Sequence, residues 1–200
     1  MKIYRFNILL VIMFLFICGC SGKSPQVLNN NYDKIQAKII AVLPVESKNI
    51  SSKTAQLLRS RIMEELYFKG YSKLPLEMID QKLESLYIKD INGNKTSASA
   101  VAPQALKDAV GADAGMYCTL TEDNGSKIFY APIKITLNCQ LRSAQSGETL
   151  WNAQAESTKR NFVLTQKDLE KQTHDDFEIV IDEVVNKIMK TLPDGPNLRD

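Results

Sequence analysis

Ten residues in the second half of the chain alternate strictly between apolar and polar side chains: Ile133-Lys134-Ile135-Thr136-Leu137-Asn138-Cys139-Gln140-Leu141-Arg142. A period of two is typical of a β-strand that buries one face and exposes the other. Pro132 cannot donate a backbone hydrogen bond to a neighbouring strand, so we expect the strand to begin just after it. The pattern therefore predicts a sheet with one face in a core and one face in water.

Two further strands flank this one in the sequence. Residues 114–121 alternate in the same way, and Asp123-Asn124-Gly125-Ser126 predicts the turn that follows them. Ser146-Gly147 predicts a second turn, after which residues 149–155 place Trp151 on the same face as two alanines. The three strands predict an antiparallel meander, and Trp151 is interpreted as a core residue rather than a binding platform.

The first half of the chain predicts strands that alternate with helices. Residues 38–45 form a continuous aliphatic run, which predicts a strand that is covered on both faces and central in the sheet. The spacing of apolar residues predicts helices over 53–69, from Pro75 onward and from Pro103 onward, with a short strand or extended exit over 71–74.

A long amphipathic helix is predicted near the carboxyl terminus, stopped by Pro193. Its start is open between two capping residues, Thr165 and Thr173, because residues 157–171 are polar and fit a loop or a fraying helix start. Residues 95–102 are small and polar and are predicted to form a mobile loop, and residues 194–200 a flexible tail. The element order βαβα(α)βββα predicts one α/β domain over 37–193, with a mixed β-sheet and flanking helices.

The first 19 residues have the composition of a secretory signal peptide. Lys2 and Arg5 precede an apolar run over 8–17, which is shorter than the roughly 17–25 residues that a stable membrane span requires. The next residues, Ile17-Cys18-Gly19-Cys20, resemble the lipobox of bacterial lipoproteins. This resemblance implies cleavage before Cys20 and its acylation, and the two or more acyl chains would make a stable anchor. Residues 20–36 are then predicted to be a lipidated tether.

Charge excludes one class of partner. Cleavage after residue 19 removes Lys2 and Arg5 and leaves 23 basic and 23 acidic residues, with the two signs interspersed. Nucleic-acid binding requires a basic face that releases counterions, so no nucleic-acid partner is predicted.

Two cysteines, Cys118 and Cys139, remain in the predicted domain. Both lie on the apolar face of strands that are predicted neighbours, and an oxidising envelope permits a disulfide between them. An unpaired cysteine on such a face behaves as a small apolar residue. We favour the unpaired interpretation, with the disulfide as the alternative.

The residues typical of catalytic sites are missing from the sequence. His174 is the only histidine and lies among acidic residues at a predicted helix start, which is typical of a solvated surface position. One histidine excludes the usual multi-histidine zinc sites, and no Gly-x-Ser-x-Gly, P-loop or Rossmann glycine motif is present. We therefore predict no catalytic residue, no cofactor, no metal site and no small-molecule substrate, and a protein that is not an enzyme.

Several short motifs, in this order and spacing, resemble a family of Gram-negative surface lipoproteins of unknown function whose fold is like the amino-terminal domain of TolB. The motifs are Ile40-Ala41-Val42-Leu43-Pro44-Val45, Leu66 with Gly70-Tyr71 and Pro75, Pro103-Gln104-Ala105-Leu106, Gly111-Ala112-Asp113-Ala114, Tyr117-Cys118-Thr119-Leu120-Thr121-Glu122 and Ser146-Gly147-Glu148-Thr149-Leu150-Trp151. The resemblance implies a non-enzymatic envelope component, similar to proteins that accompany CsgG-like secretion lipoproteins. LpoB, a lipoprotein activator of peptidoglycan synthases, is similar in its broad fold.

From this resemblance we expect an outer-membrane lipoprotein on the periplasmic side that serves as an accessory component of an export or assembly system. Its expected partners are the membrane, through the lipid, and other envelope proteins, CsgG-like lipoproteins among them. The alternative is an LpoB-like regulator of peptidoglycan synthesis, which would need a longer tether. Ser21, the residue after Cys20, is not Asp, which in Gram-negative lipoproteins implies sorting to the outer membrane.

Overall fold

A computed structural model describes residues 26–28, 32, 37–48, 51–86, 97–124, 131–161 and 166–198. The predicted signal peptide, Cys20 and most of the predicted tether lie outside the described residues. The predicted α/β fold with a mixed sheet and flanking helices is confirmed. Its elements are β1 (Gln26–Leu28), β2 (Ile40–Val42), β3 (Glu46–Lys48), α1 (Ser52–Phe68), α2 (Leu76–Leu86), α3 (Pro103–Val110), β4 (Ala114–Asn124), β5 (Ala131–Ser143), β6 (Thr149–Asn161) and α4 (Gln166–Met189), with 3-10 turns at Ala98–Ala100 and Pro196–Leu198.

The sheet has the strand order β1-β6-β5-β4-β2, and β3 also pairs with β4. β4, β5 and β6 form the predicted antiparallel meander, in which Leu137 lies opposite Leu120 on one side and Ala155 on the other. β2 and β3 run parallel to β4, which makes the sheet mixed. The two strands pair with successive parts of β4, and Pro44 lies in the short connection between them.

β2 lies at an edge of the sheet, so its predicted central position is wrong. Its three residues are nevertheless almost fully buried. Helices cover both faces of the sheet at this edge, and continuous hydrophobicity reports covered faces rather than the number of neighbouring strands. The outer side of this edge is partly paired, because the Ser72 N–H donates to the Lys38 carbonyl oxygen at 2.9 Å. Of the predicted strand over 71–74, only an isolated β-bridge between Ser72 and Ile39 forms.

Two apolar cores lie on opposite faces of the sheet. The larger core joins the sheet to α1 and α4 and includes Trp151. The smaller core joins β2 and the first part of β4 to α2 and α3 and includes Tyr117. Gly115 lies between Leu106 and the Tyr117 ring, where a Cβ atom would come within 2.6 Å of Leu106 Cδ1, so this contact requires glycine.

Local sequence explains the helix ends. Ser51 caps α1, and its hydroxyl accepts a hydrogen bond from the Thr54 N–H at 3.2 Å. Pro103 occupies the first turn of α3, and Gly111 ends that helix with a φ of 69°. α4 begins at Gln166, the earlier of the two starts that the sequence left open. β6 continues to Asn161 through part of the stretch that was open between loop and helix, because Ser157 is buried and donates a hydrogen bond to Glu183 at 2.7 Å.

The tether is shorter than the predicted range of residues 20–36, because part of that range belongs to the folded domain. Residues 26–28 form β1, which pairs antiparallel with β6 so that Leu28 lies opposite Trp151. Tyr32 is buried, and its hydroxyl donates to the Tyr71 hydroxyl, which in turn donates to the Pro193 carbonyl oxygen at 2.8 Å. The sequence misses these contacts because a short polar segment becomes a strand only when a neighbouring edge is available.

The predicted flexible tail is wrong for residues 194–198. The Asp194 carboxylate pairs with the Lys69 ammonium at 2.7 Å, and the Gly195 N–H donates to the Lys69 carbonyl oxygen. The 3-10 turn that follows places Leu198 against Gly70. Gly70 has a φ of 84° and no side chain, so the tail can pack directly on the end of α1.

Candidate functional site

A groove of about 970 Å³ opens between α1 and α2 and is floored by the connection from β2 to β3. The parallel strand β2 points its carboxyl end at this groove, which is where ligands commonly bind in α/β folds. The side chains that line it fall into an apolar set, Pro44, Val45, Ala55, Pro75 and Met78, and a polar set, Ser47, Ser52, Gln56, Arg59, Glu77, Asp80, Gln81 and Glu84.

Arg59 connects the floor of the groove to both of its walls. It projects from α1 and is only 5% exposed. Its Nε and Nη2 atoms donate to the Val42 carbonyl oxygen at 3.0 and 2.8 Å, and its Nη1 atom donates to the Asp80 carboxylate on α2 at 2.7 and 2.8 Å. The carbonyl at the end of β2 is thus satisfied by a side chain instead of a strand neighbour, and the separation of the two helices is fixed.

The charge of the groove is acidic. Arg59 is paired with Asp80, and two more carboxylates, Glu77 and Glu84, lie along the same wall. Met78 on this wall is 37% exposed and extends the apolar floor outward. An acidic rim beside an apolar floor favours a ligand that carries positive charge next to apolar groups.

We expect Arg59→Met to lower the free energy of unfolding by about 2 kcal/mol, because the buried Val42 carbonyl loses both of its side-chain donors. Arg61→Met on the same helix is the matched control. Arg61 is 41% exposed in its side chain and pairs with Glu64 and Asp182 at 3.1 Å, and surface ion pairs contribute about 1 kcal/mol or less. Urea unfolding followed by circular dichroism measures both changes. Equal losses for the two variants would contradict the assigned role of Arg59.

A second polar cluster fixes the 3-10 turn at Ala98–Ala100 against β3. The Glu46 carboxylate accepts hydrogen bonds from the Ser99 N–H at 2.7 Å and from the Ser97 hydroxyl. Burial acts to raise the pKa of Glu46, but these hydrogen bonds outweigh it and hold the pKa below its ordinary value. Ala98 is buried in the smaller core. The predicted mobility of the loop over 95–102 is therefore wrong for residues 97–102.

The edge of the sheet along β6 is exposed. β1 covers only residues 151–153 of β6, so the outer side of β6 has no partner strand in the described part of the chain from Gln154 to Asn161. The polar face of β5 and β6 is also open, with Asn138 and Gln154 exposed. Such an edge can accept a strand from another protein.

The cysteines of the domain are bonded to each other. Cys118 on β4 lies directly opposite Cys139 on β5, with the Cα atoms 4.2 Å apart, and the two Sγ atoms form a disulfide. The favoured unpaired interpretation is therefore wrong and the alternative is what the structure contains. The disulfide lies in the larger core, away from the groove.

The other residues singled out by the sequence do not converge on the groove. Trp151 is 1% exposed in the larger core, as expected, and its indole N–H donates to the Thr191 hydroxyl at 3.2 Å. His174 lies within α4, and its side chain is outside the described residues. Cys20 is likewise outside them.

Sequence patterns alone missed Arg59 and Asp80. The apolar positions Leu58, Ile62 and Leu66 define the buried face of α1, and a charged residue beside Leu58 on that face was the available signal. Its partner lies 21 residues away on another helix, so the pair itself requires the fold.

In the described ranges, no helix is both long and apolar enough to cross a membrane. Those ranges also contain no group of three or more His, Cys, Asp and Glu side chains arranged to hold a metal ion.

Comparisons with known proteins identify the family of this chain. Residues 29–197 match the model of a family described as "Putative lipoprotein GNA1162-like". A search of curated protein sequences gave no significant match. The crystal structure of lipoprotein GNA1162 from Neisseria meningitidis is similar to this chain with a TM-score of 0.52 at 19% identity, over 74% of this chain and 97% of that one.

Two other solved structures are similar at lower TM-scores. A PelC dodecamer from Paraburkholderia phytofirmans gives 0.48 at 12% identity, over 84% of this chain and 96% of that one. The LpoB carboxyl-terminal domain from Salmonella enterica gives 0.42 at 13% identity, over 64% of this chain and 87% of that one. The family model covers most of the 200 residues and shows the family without the structural matches. The predicted resemblance to a lipoprotein family is thus confirmed, and the chain belongs to the GNA1162-like lipoprotein family.

Proposed function

We propose that the protein is a lipid-anchored envelope component that works by binding other envelope proteins and not by catalysis. Its anchor is Cys20, acylated after cleavage of residues 1–19, and its location is the periplasmic side of the outer membrane. Within an export or assembly apparatus it serves as an accessory component. The observation that carries this proposal is the groove between α1 and α2, which has an acidic rim and an apolar floor but is braced by a structural ion pair.

The proposed occupant of the groove is an extended segment of a partner protein with a basic residue next to an apolar one. Glu77 would attract the basic side chain, and the surface formed by Met78, Val45 and Pro44 would contact the apolar one. Electrostatic complementarity of this kind sets the partner and speeds association. Arg59 is not available for an anionic ligand, because its donors are already directed to Val42 and Asp80.

The length of the tether supports this role over a regulator that reaches a distant enzyme. Only residues 21–25 separate Cys20 from β1, so the chain from Cys20 to Gln26 spans at most roughly 20 Å. A domain held this near its anchor is suited to partners in or at the same membrane.

The anchor is tested by Cys20→Ala in the full chain. We expect the variant to lose all palmitate labelling, because the acylated sulfur is gone, and to accumulate as uncleaved precursor or as soluble protein. Labelling with a palmitate analogue and fractionation of the membranes measure both effects. Palmitate labelling that persists in the variant would refute Cys20 as the anchor.

The groove is tested by charge reversal. A photo-crosslinking amino acid at Met78, in the acylated protein in its native membranes, identifies the contacting segment by mass spectrometry. We expect that segment to be basic, and Glu77→Lys to weaken binding of the corresponding synthetic peptide by about tenfold, because an attraction becomes a repulsion.

Asp108→Lys is the matched control, because Asp108 is exposed on α3 outside the groove. Reversal of the basic residue in the peptide should restore binding to the Glu77→Lys variant. The proposal fails if the crosslinked segment is acidic, or if the Asp108 and Glu77 variants bind the peptide equally well.

A further inference from the structure

Several elements end together at one end of the domain, which we call the base. It is the end at which β2 and β4 begin, β5 ends and β6 begins, as shown by the pairing of Ile40 with Ala114 and of Ala114 with Ser143. α1 and α4 run back toward this end. The carboxyl end of α4 reaches it through the hydrogen bond from Trp151 to Thr191, and the tail packs there on Gly70.

The base carries four of the large apolar side chains that are exposed to solvent. Tyr67 and Phe68, at the end of α1, are 58% and 71% exposed, and their rings lie edge to face with centroids 6.0 Å apart. Leu198, 56% exposed, lies against Gly70, and Leu28, 46% exposed, is paired with Trp151. Large apolar side chains that gather at one end of a soluble domain mark a contact surface.

The position of β1 limits where a lipid on Cys20 can lie. Gln26 is opposite Ala153, which is four residues from the start of β6 at Thr149 and eight from its end at Asn161. At the usual rise of a strand these separations are about 13 and 27 Å. β1 runs toward the base, so the chain before Gln26 leaves the strand in the opposite direction and must turn back for Cys20 to reach the base. The six-residue step from Gln26 to Cys20 spans at most about 20 Å, which allows a turn and the roughly 13 Å to the base but falls short of the opposite end of the sheet.

We propose that the base is the membrane-facing surface of the domain, and that Tyr67, Phe68, Leu28 and Leu198 insert into the interfacial region of the bilayer. Tyrosine favours this region, because its ring is apolar and its hydroxyl can remain at the headgroups. Exposed lysines at the base, Lys73 and Lys190, are placed to meet lipid phosphates. A bilayer along the β1–β6 edge would instead contact the exposed polar residues Gln154 and Glu156.

This orientation rests on the proposed lipid anchor, so the experiment reads the anchor and the orientation separately. The full acylated protein is reconstituted into vesicles of phosphatidylethanolamine and phosphatidylglycerol that contain a bromine-labelled lipid as a quencher. Phe68→Trp places a fluorescent probe at the base, and Thr121→Trp places a matched probe at an exposed position toward the opposite end of β4. Emission of the unchanged protein gives the contribution of Trp151, and mass spectrometry reports the acylation of Cys20.

We expect the Phe68→Trp probe to shift its emission to the blue and to be quenched by the brominated lipid, and the Thr121→Trp probe to be unaffected. Tyr67→Trp repeats the measurement at the adjacent exposed position if the first variant does not fold. Acylated protein in which only the Thr121→Trp probe is quenched, or neither probe is, overturns the orientation and leaves the anchor intact. Unacylated protein with a quenched base probe refutes the anchor and supports the surface.

Discussion

Leu137→Asp is expected to unfold the domain or to lower its stability by several kcal/mol, the largest effect of any single change considered for this protein. Leu137 lies at the centre of β5, with no exposed surface, between Leu120 and Ala155. An aspartate at this position would have to be buried as a charge, or to be protonated at a large cost, and it would also leave the volume of the leucine unfilled. Thermal unfolding measured by circular dichroism gives the change.

Asn138→Asp is the matched control, since it introduces the same carboxylate one residue further along the same strand. Asn138 is exposed on the open polar face of the sheet. A surface substitution of this kind changes stability by about 0.5 kcal/mol or less. If both variants melt at the same temperature, the faces of β5 are misassigned.

Removal of the disulfide is expected to have the next largest effect, a loss of about 3 kcal/mol in the double variant Cys118→Ala with Cys139→Ala. The two cysteines are 21 residues apart in the sequence. A crosslink over this distance stabilises the fold mainly because it reduces the conformational entropy of the unfolded chain. Alanine is the chosen replacement because both positions face the larger core. For a domain of this size the loss corresponds to a drop in melting temperature of roughly 6–12 °C.

Reduction supplies an internal control for this prediction. Dithiothreitol should lower the melting temperature of the unchanged protein to near that of the double variant, and it should have no effect on the double variant itself. The reductant is added in denaturant before refolding, and mass spectrometry verifies the two free thiols, because both cysteines are buried. An unchanged melting temperature of the fully reduced protein would show that the bond contributes nothing to stability.

The alternation of apolar and polar residues was sufficient to predict the meander, because a period of two reports directly which side chains share a face. Helix ends were predicted equally well where a residue with a specific backbone role was present, as with Pro103 and Gly111. The register between the strands of the meander was not predicted correctly. A turn at residues 123–126 would place Cys118 opposite a residue near 131, whereas β4 continues to Asn124 and places Cys118 opposite Cys139.

Contacts between distant parts of the chain account for the remaining errors. β1, the packing of Leu198 on Gly70 and the pair of Arg59 with Asp80 each join a segment of weak local preference to a surface formed by other elements. Propensity and periodicity describe neighbours in sequence, so they carry no information on such docking. The candidate groove depends on two helices and a strand end, and for that reason it was found only in the fold.

β1 also gives the domain a reserve of length under mechanical load. Tension in the chain that precedes β1 reaches Gln26 first, so the pairing of residues 26–28 with β6 is peeled apart one residue at a time. The next point that resists the tension is Tyr32, because its ring is buried. Once β1 is detached, the segment from Cys20 to Tyr32 spans roughly 40 Å when taut. The domain can therefore move to about twice its resting distance from Cys20 while its two cores stay folded.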